Sequence, residues 1–180
     1  PNDSKSRAGG VLYSDYSLGR FFAEAARQPW FENTIFLVTA DHCASSAGRT
    51  EIPLQKYHIP ALILAPGLIE PGVVDGIVSQ IDLMPTLLSL LNMSYDSHFY
   101  GRSIFDPAYV NRAFIATYQD LGYLEGDTFT ILSPVRRFEQ YRVVPTEENP
   151  HHLETMERKD AMQVDRAIGY YQTSCKWNKR

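Results

Sequence analysis

The stretch NTIFLVTADH, residues 33–42, decides the fold. The run from Thr34 to Ala40 is short, almost wholly apolar, and rich in β-branched and aromatic side chains. That is the composition of a strand buried on both faces of a parallel sheet. The strand ends on Asp41-His42. Ligands of open α/β sheets bind at the carboxyl ends of strands. A carboxylate beside an imidazole is a suitable donor set for Zn²⁺ or Mn²⁺. Neighbouring side chains on a regular strand point to opposite faces, so both reach one ion only where the chain leaves strand geometry. The small, polar residues after His42, among them Ser45, Ser46 and Gly48, permit that. The competing reading of the pair is a turn with a helix cap.

Upstream, residues 11–28 follow a helical pattern that brings Tyr13, Tyr16, Phe21 and Ala25 to one face, and Pro29 stops it. Downstream, a second buried strand is predicted over Ala61–Ala65, closed by Pro66-Gly67. Ser79 is the N-cap expected for a helix over 79–92, with Ile81, Met84, Leu87, Leu88 and Leu91 at core spacing and Pro85 in its first turns. Asp82 lies in its first turn, favourably placed against the helix dipole, and reads as structural. The character then changes. AFIATYQ (113–119), TFTILSP (128–134) and FEQYRVV (138–144) read as antiparallel strands separated by turns at Gly122, Gly126-Asp127 and Pro134. Leu153, Met156, Val164, Ile168, Tyr171 and Cys175 recur at mostly helical steps, predicting one amphipathic C-terminal helix.

The chain has 180 residues, 44% of them hydrophobic and 21% charged, with a net charge of -4. That is enough apolar material for a core, and it excludes a disordered chain and a general, basic nucleic-acid binder. No apolar run approaches the roughly 18 residues of a transmembrane helix. The polar start without Met reads as the beginning of a piece of a longer protein. Cys43 and Cys175 are far apart and form no metal-type pair.

Other candidates are weighed singly. His58, just before Ile59-Pro60, reads as a substrate or metal contact or as a structural histidine. Arg49 and Lys56 can bind an anionic substrate or be solvated loop charges. Cys43 reads as a small packed residue, because a thiol needs a base or a cation to become reactive. His151-His152 reads as a loop pair. Loop tyrosines such as Tyr57, Tyr95, Tyr100, Tyr118 and Tyr123 serve a stacking rim or ordinary packing.

Taken together, NTIFLVTADH (33–42), YHIPALILAPG (57–67), SQIDLMPTLLSLLN (79–92), YGRSIF (100–105) and YQDLGYL (118–124) resemble the alkaline-phosphatase/sulfatase superfamily. Within it they look most like the lipoteichoic acid synthase and phosphoglycerol transferase branch. The resemblance implies an α/β fold: the C-terminal part of an α/β/α sandwich over residues 1–107, carrying a small antiparallel sheet plus helix subdomain over 108–180. It implies Asp41 and His42 as ligands of a divalent metal, Mn²⁺ or Zn²⁺ ahead of Ca²⁺ or Mg²⁺, with His58 a candidate substrate contact. An upstream Glu and a Thr nucleophile would complete the site. Only 40 residues precede Asp41, and neither Thr34 nor Thr39 matches the nucleophile motif, so the resemblance implies that both lie outside this chain, which alone would be inactive.

The implied partners are the N-terminal half of the same domain and an anionic phosphate or sulfate ester, with no nucleic acid. The implied parent is anchored in the cytoplasmic membrane with its catalytic domain outside, this chain itself being soluble. The implied reaction is phosphoryl-group transfer or hydrolysis on a phosphoglycerol or lipid-headgroup donor. The alternatives are a true sulfatase with a formylglycine nucleophile, and an inactive sulfatase-like binding domain.

Overall fold

The computed structural model describes residues 6–43 and 52–177. The chain divides into two compact units, residues 1–38 with 61–73 and residues 39–60 with 74–180.

In the first unit, helix α1 spans Arg7–Ala25. It starts four residues before the predicted 11–28 helix because the Ser6 hydroxyl caps it, accepting from the Gly9 N–H at 3.0 Å. Strands β1 (Phe36–Thr39) and β2 (Ala61–Leu64) form a two-stranded sheet. Phe36 is packed by aromatic rings of α1 and the following turn, with Phe21, Phe22 and Phe31 centroids 5.9, 5.3 and 5.5 Å away. Neither strand is enclosed on both faces as its apolar run predicts; β1 is half-buried and Leu62 of β2 is exposed. Val11, Leu12, Tyr13 and Tyr16 of α1 are exposed as well.

In the second unit, helix α2 covers Leu83–Leu90 behind a 3₁₀ turn at Gln80–Asp82. The helix predicted from residue 79 is therefore shorter, and Pro85 falls in its first turn. A five-stranded antiparallel meander follows in the order β3 (Arg112–Ala116), β4 (Leu121–Glu125), β5 (Thr128–Ser133), β6 (Arg137–Val143) and β7 (Leu153–Thr155). Two of these strands correct the sequence reading. Gly122 is not a turn residue but lies mid-strand in β4, paired with Ile115 and Ile131. A side chain there would collide with the Phe129 ring, 2.8 Å from the nearest Cβ position, so glycine serves a close approach rather than a bend. Leu153 and Met156 do not begin the last helix. Leu153 pairs with Val143 in β7, and helix α3 spans Ala161–Trp177, its first turn held by Asp160 Oδ1 accepting from the Gln163 N–H at 3.1 Å.

Ile52, Leu54, Ile115, Leu124 and Phe129 form the core of this unit, with Tyr57, Ile77, Val143 and Leu153 packed around it. The segment leading to His58 is thus seated on the meander. Helix α3 is joined to the sheet through fully buried Gln140, whose Nε2 donates to Thr130 Oγ1 at 2.9 Å while Oε1 accepts from the Asp160 N–H at 2.7 Å. The Tyr171 hydroxyl lies 3.0 and 2.8 Å from the Ile115 and Gly122 carbonyls, and burial pushes its pKa up to about 12.

Asp82 is the polar centre of the unit. Its carboxylate is fully buried and accepts from Arg112 Nη1 at 2.9 Å and Nη2 at 3.1 Å. It also accepts from the Ser79 and Arg102 N–H groups and from the Tyr109 hydroxyl, at 3.1, 2.9 and 2.9 Å. The structural reading of Asp82 agrees with this, although the dipole alone misses its ion pair. No helix among the described residues is long and apolar enough to cross a membrane.

Candidate metal centre

The chain leaves strand geometry at the end of β1, as the Asp41-His42 pair requires. Thr39 Oγ1 donates to the Pro60 carbonyl at 3.0 Å, which ties the end of β1 to the segment entering β2. Gln80 Nε2 then donates to the carbonyls of Ala40 and Asp41 at 3.1 and 3.3 Å. These bonds hold the backbone at Ala40 and Asp41 and leave the Asp41 and His42 side chains in solvent. Sequence reading missed Gln80. Its signal, a polar residue directly after the N-cap Ser79, is not distinctive.

Asp41 Oδ1 accepts from the His42 N–H at 2.9 Å, and Asp41 Oδ2 lies 3.4 Å from His42 Nε2. His42 Nδ1 lies 2.9 Å from the Cys43 carbonyl. A carbonyl only accepts, so His42 Nδ1 is the protonated nitrogen in this contact, and Nε2 is the nitrogen that faces Asp41. A backbone carbonyl holding one ring nitrogen is how metal-ligating histidines are commonly oriented. Two donors about 2.1 Å from one ion at a tetrahedral angle stand about 3.4 Å apart. The donor types, their spacing and their exposure therefore fit a divalent cation. Among the described residues no group of three or more His, Cys, Asp or Glu is assembled to hold one, so this pair offers two ligands.

His58 belongs to the same unit and is linked to the pair through Cys43, whose Sγ donates to the His58 carbonyl at 3.3 Å. This gives Cys43 a positioning contact, in keeping with its packed reading. The His58 ring makes an unanticipated contact: its Nδ1 lies 3.2 Å from His151 Nε2. The two residues are 93 positions apart, and the packing of Ile52, Leu54 and Tyr57 on the meander helps to unite them. The adjacent His151-His152 pair was visible in the sequence, but nothing local names its partner. Partial burial, and then the neighbouring His58, hold the His151 pKa below the ordinary histidine range. Lys56 is half-buried at the end of a 3₁₀ turn. Arg49 lies outside the described residues.

The chain is 30% identical over 107 residues to an arylsulfatase of Clostridium perfringens, a match spanning 54% of this chain and 22% of that protein. It is also similar to a crystal structure of a protein in the alkaline phosphatase superfamily from Vibrio parahaemolyticus, with a TM-score of 0.80 and 31% identity. That likeness covers 97% of this chain and 44% of the solved chain. This chain thus spans under a quarter of the curated relative and under half of the solved one. The likeness supports the α/β, alkaline-phosphatase-like fold class read from the sequence. The sulfatase family model matches residues 2–93, just over half of the chain and the part that contains Asp41, His42 and His58. The chain is therefore a member of the sulfatase family, within the alkaline phosphatase superfamily.

Proposed function

We propose that this chain supplies Asp41 and His42 as cation ligands to a metal-dependent sulfatase-family enzyme that transfers or hydrolyses a phosphoryl group. The substrate class is a phosphoglycerol or lipid-headgroup ester of the cell envelope. The observation that carries this reading is the convergence of Asp41 Oδ2 and His42 Nε2 at the end of β1, 3.4 Å apart and open to solvent. A bound divalent cation, Mn²⁺ or Zn²⁺ ahead of Ca²⁺ or Mg²⁺, would polarise the ester oxygens and lower the pKa of the attacking hydroxyl.

The chain's own residues do the holding. Asp41 offers a carboxylate oxygen, and His42 offers Nε2 with its ring orientation set by the Cys43 carbonyl. Gln80 holds the carbonyls of Ala40 and Asp41 in place. His58, one hydrogen bond from Cys43, is the proposed contact to the anionic ester. The nucleophile, a Thr in this reading, and the remaining ligands belong to the N-terminal half of the same domain, which is the chain's proposed partner. By itself the chain then does not turn over substrate. The proposed setting is an enzyme anchored in the cytoplasmic membrane with this domain outside. Sulfuric-ester hydrolysis is the second reading, favoured by the likeness to an arylsulfatase.

One assay separates them. The enzyme that contains this chain is stripped of metal, then offered an aryl phosphodiester and an aryl sulfate with Mn²⁺, Zn²⁺ or Ca²⁺ restored. Phosphodiester cleavage recovered by Mn²⁺ or Zn²⁺ is the expected result. Sulfate release with Ca²⁺ preferred would replace the phosphoryl reading with the sulfatase one. No turnover of either ester under any metal would favour a binding domain that has lost the reaction.

A further inference from the structure

His58 and His151 form a second pair of donors, built from different residues than the first. Their nitrogens, Nδ1 and Nε2, stand 3.2 Å apart, and the rings cross at 82° with centroids 5.2 Å apart. Two imidazole nitrogens about 2.0 Å from one Zn²⁺ at a tetrahedral angle stand about 3.3 Å apart. The spacing that serves an imidazole–imidazole hydrogen bond therefore also serves a shared cation.

Both rings sit on pinned backbone. On one side Leu54 is a core residue, the Tyr57 N–H donates to the Leu54 carbonyl at 3.0 Å, and Cys43 Sγ donates to the His58 carbonyl. On the other side Asn149 Oδ1 accepts from the His151 N–H at 2.9 Å. The Val144 N–H donates to the His152 carbonyl at 2.9 Å, which ties the loop to the end of β6. Ligands fixed by packing lose little freedom when an ion arrives. The His58 ring is exposed and His151 half-buried, so an ion reaches them from solvent. No third His, Cys, Asp or Glu joins them among the described residues. Imidazoles without carboxylates favour Zn²⁺, Cu²⁺ or Ni²⁺ over Mg²⁺ and Ca²⁺.

We propose that His58 and His151 are a two-imidazole site for a divalent transition metal of the Zn²⁺, Cu²⁺ or Ni²⁺ class. The coordination positions that the protein leaves open take water or an oxygen of an anionic ligand. This site does not depend on the reading of Asp41 and His42, which contribute no donor to it.

The test is a Zn²⁺ titration of the 180-residue chain, read by calorimetry and by imidazole ¹⁵N resonances. It is made in a background with Asp41→Ala and His42→Ala, so that the strand-end pair is silent. The expected result is one binding event in which His58 and His151 resonances shift together. Loss of an orienting partner alone costs a metal site about 10–100-fold. Adding His151→Ala should therefore weaken Zn²⁺ binding by at least about tenfold. His151→Gln retains hydrogen-bonding capacity without the imidazole, and should weaken it as much. Far-UV circular dichroism checks that each variant keeps its fold. Titrations that superpose with and without His151 would overturn the proposal. So would Zn²⁺ additions that move neither imidazole in the unsubstituted chain.

Discussion

Asp41 and Asp82 belong to the same compact unit and have opposite fates. The Asp82 side chain is 0% exposed and the Asp41 side chain 87%. Asp82 has both oxygens occupied, by an arginine fork, two backbone N–H groups and a tyrosine hydroxyl. Asp41 faces one imidazole and the backbone N–H beside it. A carboxylate with its acceptor capacity filled in the interior holds the fold and has nothing left for a ligand. A carboxylate held at a strand end, with its backbone rather than its side chain anchored, leaves an oxygen open to solvent. Burial and partner count, rather than residue type, divide structure from chemistry here.

The contrast can be broken most sharply at its buried end. Arg112→Ala leaves the Asp82 charge without its partner and also removes guanidinium contacts over the rings of Tyr109, Phe114 and Tyr170. Removing one member of a buried pair costs about 3–5 kcal/mol. Urea denaturation should show a loss of that size, and a loss below about 1 kcal/mol would put Asp82 on the same footing as an exposed carboxylate.

Gly122→Ala tests the packing of the meander's apolar core. The new Cβ would meet the Phe129 ring at 2.8 Å. Overpacking of this kind costs about 1–3 kcal/mol, measured by the same denaturation. An unchanged midpoint would mean that Phe129 can step aside and that the β4–β5 contact yields to a methyl group.

Tyr171 sharpens the comparison through pH. An unfolded tyrosine ionises near about 10, and in the folded chain burial pushes Tyr171 up to about 12. Its folded pKa is raised, so its contribution is fully present below about 10 and is lost as pH rises toward about 12. Tyr171→Phe should flatten the alkaline fall in stability over that window, at the cost of its contacts with the Ile115 and Gly122 carbonyls. An identical alkaline profile in the variant would show that Tyr171 does not carry the effect.

The smallest effects on stability belong to the site. Cys43→Ser keeps a donor for the His58 carbonyl, and should change both stability and turnover little. A large loss of turnover would give the thiol a chemical role. Asp41→Ala should leave stability within about 0.5 kcal/mol, as for an exposed side chain with no buried partner.

The two regions also differed in how far the sequence reveals them. Asp41-His42 stands out because an apolar strand ends on it, so its position in the fold and its donor types are both local facts. The Asp82–Arg112 pair is invisible locally because its members lie 30 residues apart on different elements. The same holds for His58 and His151. Gly122 misled for another reason. Glycine marks turns by default, and only the ring of Phe129 on the neighbouring strand reveals that this one is a packing requirement. Strand β7 was hidden because Leu153 and Met156 happen to continue the spacing of α3. The half-burial of β1 and β2 was not legible either, since an apolar run reports what a strand can bury and not what this chain supplies to cover it.

The proposed role of Asp41 is to hold a cation and not the fold. It is tested most directly by Asp41→Ala in the enzyme that contains this chain, assayed for ester cleavage across a titration of Mn²⁺ and Zn²⁺. Thermal unfolding of the same samples without metal is measured alongside. The expected result is an unchanged unfolding temperature and a loss of metal-dependent turnover that added metal does not restore. Full turnover at saturating metal with the fold intact would contradict it.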